Sequence, residues 1–428
     1  MSLAELAALD PALAERLLAR ARRHTRNPRD TIERLARGEA LALPAHSPLT
    51  AAARALAEAR RGGAASLEAV RRLCLSVAER STVFERCDAD AAVLALGGLA
   101  RERAAWVRAP EEWRPRTRSP ERQLRDLARH LLARYEVPRF LERVWTEGDG
   151  VHQRWYVHLG AGRSLRAAPG LPFPLSRRAA HEILRAPAEL TPRQALRWGQ
   201  VRALGGADAQ ARAVAGTRLV ADVAHEAFWS VVLRFLLAHP ELAPLEYGPI
   251  VDYLHHQKFV VPHGAHGPPQ PHLAMKGREP GALRRQVQRW HRSLRVQGPP
   301  RSWSPHPRGR PLACTLWMSA SGAPASEVRL ELVELLSSAA LADEGRALVH
   351  CVATYAGSCA RGRCSIWSVR ARRGAGPWER LATVELAPNG LIVQARARAN
   401  QVPSPLAWEA IRRWCAENGF KVSPLVPR

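Results

Sequence analysis

Along the first 148 residues apolar side chains recur at spacings of three and four, with Arg on the intervening positions, which is the pattern of amphipathic helices. The spacing predicts helices over 3–23, 28–37, 48–61, 66–80 and 122–134. Ser66 followed by Glu68, and Ser119 followed by Glu121, supply caps and first-turn acids at two of these starts. Residues 152–159, HQRWYVHL, read instead as a strand, with Gly160-Ala161-Gly162 as its turn. Pro169, Pro172 and Pro174 punctuate a loop before a helix starting at Ser176. A second helical block then runs over 178–257, with Trp198, Phe228, Trp229 and Phe235 as its expected core anchors. A basic helix over 283–294 follows.

Downstream the period changes from 3.6 to two. Strands are expected over 312–318 and 328–333, then a helix over 338–355, three alternating strands over 365–371, 381–387 and 391–400, and a last helix over 405–418 stopped by Gly419. Asn389-Gly390 between the last two strands supplies the positive φ of a tight hairpin. Alternation puts Trp367, Val369, Ala382, Val384, Leu386, Val393, Ala395, Ala397 and Ala399 on a core face. It puts Ser368, Arg370, Thr383, Glu385, Gln394, Arg396, Arg398 and Asn400 on the other. That second face reads either as the wet side of an antiparallel sheet or as a ligand surface. The fold class expected is α+β: a mainly helical N-terminal two-thirds and a C-terminal module of a small antiparallel sheet flanked by helices. The expected domains are an Arg-rich helical region (1–148), a mixed region (149–297), a Pro/Arg-rich linker (298–311) and an α+β domain (312–428).

Charge adds a partner class. Among 428 residues, 64 bases stand against 39 acids, a net charge of +25. Only Lys258, Lys276 and Lys421 are Lys, a preference that a GC-rich genome explains, but codon bias does not lower the acid count. The surplus favours a polyanion, DNA or RNA first. Lys276, Arg278, Arg284 and Arg285 lie on and before the basic helix and are expected to contact it. A second basic cluster, Arg101 to Arg125, carries Trp106 and Trp113 between prolines, and reads as a solvated linker or a phosphate grip with stacking rings.

Other chemistry is sparser. The seven cysteines are an odd number without a secretion signal, so a disulfide framework is not expected. Cys351, Cys359, Cys364 and His350 lack paired zinc-ligand spacing. Gly160 and Gly162 fail the third position of a dinucleotide fingerprint. Asp222, His225 and Glu226 share a helical spacing that suits a metal or a proton shuttle, and suits a satisfied core histidine better. No metal or cofactor is expected. No uninterrupted apolar run approaches the roughly 18 residues of a membrane helix, and the N-terminus has no apolar signal core, so membrane insertion is not expected and a cytoplasmic location is.

Asp343-Glu344-Gly345, His350-Cys351-Val352, Tyr355, Gly362, Ser365-Ile366, Arg370, Thr383-Val384-Glu385, Gln394, Arg396 and Asn400 together resemble the PcfJ-like family, named for a protein encoded on a conjugative plasmid. The resemblance is specific over 336–420. Trp155-Tyr156, Met275-Lys276-Gly277-Arg278 and Trp290-His291 look like elements preceding this domain in long bacterial relatives. Ala397 and Ala399 depart from the family's ending, where a Gly is expected. The resemblance implies a bacterial protein associated with plasmids, phages or other mobile elements, and makes His350, Cys351, Tyr355, Arg370, Glu385, Gln394 and Asn400 the concentrated positions.

Three functions follow as expectations. The first is a nucleic-acid-binding accessory protein, with Tyr355, Arg370, Gln394, Arg396, Arg398 and Asn400 joining the bases of the helical region in contact, and with mobile-element or conjugation proteins as further partners. The second is a phosphodiester-cleaving or other hydrolase with His350 and Glu385 as general base and acid, and Arg370 and Arg396 stabilising the transition state. The third is a scaffold for an acidic protein.

Overall fold

The computed structural model describes residues 27–44, 47–86, 89–146, 149–261, 266–293, 301–318, 326–423 and 426. The helix expected over 3–23 lies outside them. The fold is α+β, with helices through the N-terminal part and a C-terminal sheet. The chain forms two compact units. The first comprises the described residues through Ala180 with Leu184–Pro192; the second comprises His181–Ile183 with Arg193 onward.

In the first unit α1 (Pro28–Arg37), α2 (Pro48–Arg61), α3 (Ala64–Arg80), α4 (Asp90–Arg101) and α5 (Pro120–Leu132) bury the stripes that the three-four spacing predicts, including Ile32, Leu49, Leu73, Leu96 and Leu127. Asn27 and Ser47 cap the first two, each side chain accepting a backbone N–H of the first turn, and proline occupies the first position of both. The expected strand over 152–159 is a helix, α6 (Gly150–Gly160). Four of its buried side chains, His152, Trp155, Tyr156 and Leu159, follow the helical spacing i, i+3, i+4, i+7, and Asp149 caps it by accepting from Val151 and His152 N–H. Aromatic content outweighed period in the strand reading. In the Arg-rich stretch Trp113 is 1% exposed and donates to Asp126, which removes it from any stacking surface, while the half-buried Trp106 donates to the Leu99 carbonyl.

After α7 (Arg177–Leu184), the second unit continues with α8 (Pro192–Ala203), α9 (Asp208–Ala215), α10 (Glu226–Ala238), α11 (Tyr247–Phe259) and α12 (Pro280–Ser293). Asp222 and His225 precede α10 rather than sharing its face. Asp222 accepts from Trp229, His225 stacks on Phe259 at 3.9 Å between centroids, and the Glu226 carboxylate is held by Arg197, Gln200 and Ser230. These residues are the polar frame of a core helix.

The C-terminal sheet has six strands in sequential order: β1 (Leu312–Met318), β2 (Ser326–Glu334), β3 (Ser365–Arg373), β4 (Glu379–Leu386), β5 (Leu391–Arg396) and β6 (Lys421–Val422). Pairing is antiparallel through β5, and β6 joins β5 in parallel. One face buries Val328, Leu330, Trp367, Val369, Val384 and Leu386 against α15 (Pro405–Asn418), where Trp367 and Trp414 meet at 4.6 Å between centroids. A bulge between Glu385 and Leu386 shifts the hairpin register, so Ile392 and Ala395 are in the core and Val393 is half-exposed, in place of the strict alternation expected. The described part of the expected linker, 301–310, is strapped to the module. Trp303 Nε1 donates to the Leu335 carbonyl, His306 N–H to Glu334, and Trp414 Nε1 to the Arg310 carbonyl.

Candidate functional site

The second face of the sheet, expected to be wet, carries a buried polar layer over β3, β4 and β5. Two elements cover it. The first is α13 (Ser338–Leu348), capped by Ser337; the second is a one-turn helix, Val352–Tyr355, that leads into α14 (Ala356–Ala360). The expected helix over 338–355 breaks because Val349 takes left-handed backbone angles, φ 55 and ψ 54, and turns His350 inward. Gly345 lets the turn close: an added Cβ there would stand 2.9 Å from the His350 carbonyl oxygen.

His350 belongs to the first of two networks. Glu344, 0% exposed, accepts hydrogen bonds from the hydroxyls of Thr383 (Oε1) and Ser368 (Oε2), both at 2.9 Å. Since the Thr383 hydroxyl proton is engaged there, His350 Nε2 must donate to Thr383 Oγ1, at 2.9 Å. Arg380 Nε lies 2.9 Å from Glu344 Oε2, and Arg370 reaches both Ser368 Oγ, at 3.1 Å, and Glu331, at 3.3 Å. Burial, with neighbouring His291, lowers His350 to about 4, so the ring is neutral at pH 7. Burial raises the Glu344 carboxyl, against the two hydroxyl bonds that lower it.

The second network joins the helical part of this unit to the module. Arg218 pairs with Asp252 of α11 at 2.6 Å, and its Nη1 donates to His255 Nδ1 at 2.8 Å. Cys351 Sγ donates to the other Asp252 oxygen at 3.4 Å. Glu385, two residues along β4 from Thr383, is hydrogen-bonded to Tyr355; burial, with Asp252 nearby, pushes it up to about 7. Tyr355 is pushed well above its ordinary range, by Glu385 first and then by burial. Burial likewise raises the Cys351 thiol and lowers the Arg396 guanidinium, whose Nη1 is buried with no hydrogen-bond partner among the described residues.

The structure therefore draws Tyr355, Glu385 and Arg396 together with Cys351, and sets His350 in a neighbouring network with Arg370. No hydrogen bond among the described residues joins His350 to Glu385. Gln394 is half-buried opposite Glu385 in the strand register. Arg398 and Asn400 are not on the sheet face as expected: β5 ends at Arg396, and both lie in a tight turn, Arg398 donating to the Ala347 carbonyl and Asn400 at φ 61. Of the upstream bases, Arg278 is tied to Ala274 and Gln286 and Arg284 to Glu246, while Lys276 and Arg285 are exposed.

Sequence reasoning missed Arg218, Asp252 and His255 as site residues, because no local pattern marks side chains whose partners lie 34, 37 and 99 positions away. Glu344 stood in the family pattern but drew no role. Its buried position on α13, opposite Ser368 and Thr383 of the polar face, would have signalled it. Among the described residues no group of three or more His, Cys, Asp or Glu is arranged to hold a metal ion, and no helix is long and apolar enough to cross a membrane.

Comparison with curated proteins and with solved structures finds no match. The segment from β2 to the first turn of α15, residues 326–409, a partial segment of the chain that includes every module residue of both networks, matches the family model described as PcfJ-like protein.

Proposed function

We propose that this protein is a nucleic-acid-binding accessory protein of a bacterial mobile genetic element, acting in the cytoplasm. The family match supports the association with mobile elements. The observation that carries the binding reading is the distribution of the positive surplus. Ion pairs absorb much of the acid, while Arg54, Arg61, Arg116, Arg118 and Arg122 in the first unit, and Lys276, Arg285, Arg361, Arg363 and Arg373 in the second, are exposed with no carboxylate partner among the described residues. Such a surface gains affinity by releasing counterions from phosphates, so log affinity falls with log salt by roughly 0.9 per phosphate contacted on a duplex. Fluorescence anisotropy of labelled DNA and RNA between about 50 and about 200 mM salt is expected to show a steep negative slope, lessened when Lys276 and Arg285 are both changed to Gln. Binding indifferent to salt would defeat the reading. A protein partner retained after nuclease digestion, with no nucleic-acid affinity, would instead support the scaffold for an acidic protein.

A second reading, a phosphodiester-cleaving or other hydrolase, draws on one observation: the Glu385 carboxyl, at about 7 and bonded to Tyr355, exchanges a proton near neutral pH. On this reading the parent protein cleaves labelled oligonucleotide and Glu385→Gln and His350→Ala do not; equal cleavage by all three removes both residues from the chemistry.

A further inference from the structure

The chain has thirteen tryptophans, and two of them are exposed: Trp317, at 71%, and Trp378, at 39%. Both sit at one end of the sheet and on one face. Trp317 is on the last turn of β1's pleat, opposite Glu327 in the register, on the side of β1 away from the core residues Leu312, Cys314 and Leu316. Arg329 of β2 and Arg372 of β3 are a registered pair on that same side, away from Val328, Leu330, Val369 and Ala371. Trp378, immediately before β4, lies beside Arg372, whose guanidinium stands over its ring at 5.0 Å from the centroid. The polar layer and α13 bury this face further along β3, β4 and β5. Here, among the described residues, it is open.

Charge on this end is locally mixed and is decided by its pairing. Glu327 is taken by Arg329 at 2.6 Å, and Glu331 by Arg370 at 3.3 Å, while Arg380 reaches inward to Glu344. That leaves Arg372, stacked on Trp378, without a carboxylate among the described residues of this face. The surface therefore offers two large aromatic faces separated by three strand spacings, about 14 Å, across the sheet and by two residues along it, with guanidinium planes between them and a small positive surplus. An acidic peptide would need more free cations than this, whereas unstacked bases need ring faces and only a few. A duplex hides its base faces inside the stack; a single strand presents them.

We propose that the open end of the sheet binds single-stranded nucleic acid, with bases stacking on Trp378 and Trp317 and Arg372 holding the Trp378 ring and facing the backbone. This rests on the nucleic-acid reading above and deepens it, assigning the single strand to a defined surface while the remaining bases provide long-range attraction. Stacking is sequence-tolerant, so little preference among bases is expected, and the DNA and RNA arms of the test decide which sugar is favoured.

The test measures affinity of the full chain for an unstructured single strand, as DNA and as RNA, and for a duplex of the same length, at one salt concentration and then across a salt series. The parent is expected to favour the single strand. Trp378→Ala and Trp317→Ala are each expected to weaken single-strand binding by roughly fivefold to a hundredfold, with the salt slope and the duplex affinity unchanged, since a ring and not a charge is lost. Trp378→Phe is expected to restore most of the loss. Both rings are exposed, so melting temperature should stay at the parent value and folding failure is separable. Salt-dependent binding by which both alanine variants match the parent would overturn this assignment and leave the general reading standing. Absence of salt-dependent binding by the parent would overturn both.

Discussion

Glu385 shows how much a single side chain depends on its surroundings. In the strand pattern it is one polar residue of an alternation; in the fold it is held between Tyr355 and the Asp252–Arg218 pair and pushed up to about 7. The consequence for stability has a definite sign. The folded value lies above the unfolded value near 4.5, so the unfolded chain releases its proton first as pH rises, and stability falls between pH 4.5 and 7 before levelling off. Glu385→Gln keeps the neutral shape without the ionisation. It is expected to stabilise the protein at pH 8 by up to about 3 kcal/mol, the full value of the shift, and to be near neutral at pH 4.5. Urea unfolding of parent and variant at the two pH values checks this, and a larger gain at the lower pH would contradict it. The same ionic economy explains Arg396, which brings a guanidinium into the layer without a matching carboxylate and is lowered by burial.

At the scale of elements, α13 and the turn after it set the polar layer in place. The helix buries Glu344 beneath β3 and β4, and the left-handed Val349 turns the chain so that His350 reaches Thr383. Close approach depends on Gly345, in van der Waals terms the tightest point of this turn that has backbone on its far side. Gly345→Ala puts a methyl 2.9 Å from the His350 carbonyl oxygen, and the obstacle is main chain, so it cannot rotate away. The expected cost is about 1–3 kcal/mol, in spite of alanine's better helix propensity. Thermal unfolding measures it, and an unchanged or raised melting temperature would show that the turn relaxes freely. The elements also explain why Asp343-Glu344-Gly345 and His350-Cys351 sit together in the PcfJ-like pattern: one supplies the acceptor and the clearance, the other the two side chains that turn in toward the two networks.

For the molecule as a whole, the second unit holds more imidazoles lowered by burial than carboxylates raised by it. Burial lowers His255, His291 and His350 to about 4 and also lowers His256 and His306, while Glu334, Glu344 and Glu385 are raised. A lowered imidazole is neutral in the fold while the unfolded chain binds a proton below about 6.5, so its contribution is lost as pH falls from 6.5 toward 4. The raised carboxylates act oppositely over an overlapping window. Five against three leaves a net loss on acidification. The urea midpoint at pH 4.5 is therefore expected to lie below that at pH 6.5, and a flat or inverted profile would mean that the carboxylates dominate. The same titration bears on binding, because neutral imidazoles at pH 7 leave attraction of a polyanion to Arg and Lys.

Much of this architecture was readable from residue order alone, because period is a local property. Three- and four-residue spacing located α1 to α3, α5 and α15, period two located β1 to β5, and Asn389-Gly390 located the hairpin. Where local signals conflicted the reading failed: aromatic content made α6 look like a strand, and no pattern of two announces the bulge that exchanges Val393 for Ile392. The site divided in the same way. Alternation and the family resemblance brought out Tyr355, Arg370, Glu385 and Arg396, since each stands in a short pattern. That Arg218, Asp252 and His255 meet them, that the polar face is buried at one end and open at the other, and that Trp317 and Trp378 alone among the tryptophans reach the surface together were decided by the tertiary fold. Burial and pairing across long separations follow from how elements pack, and packing leaves no mark on the spacing of residues along the chain.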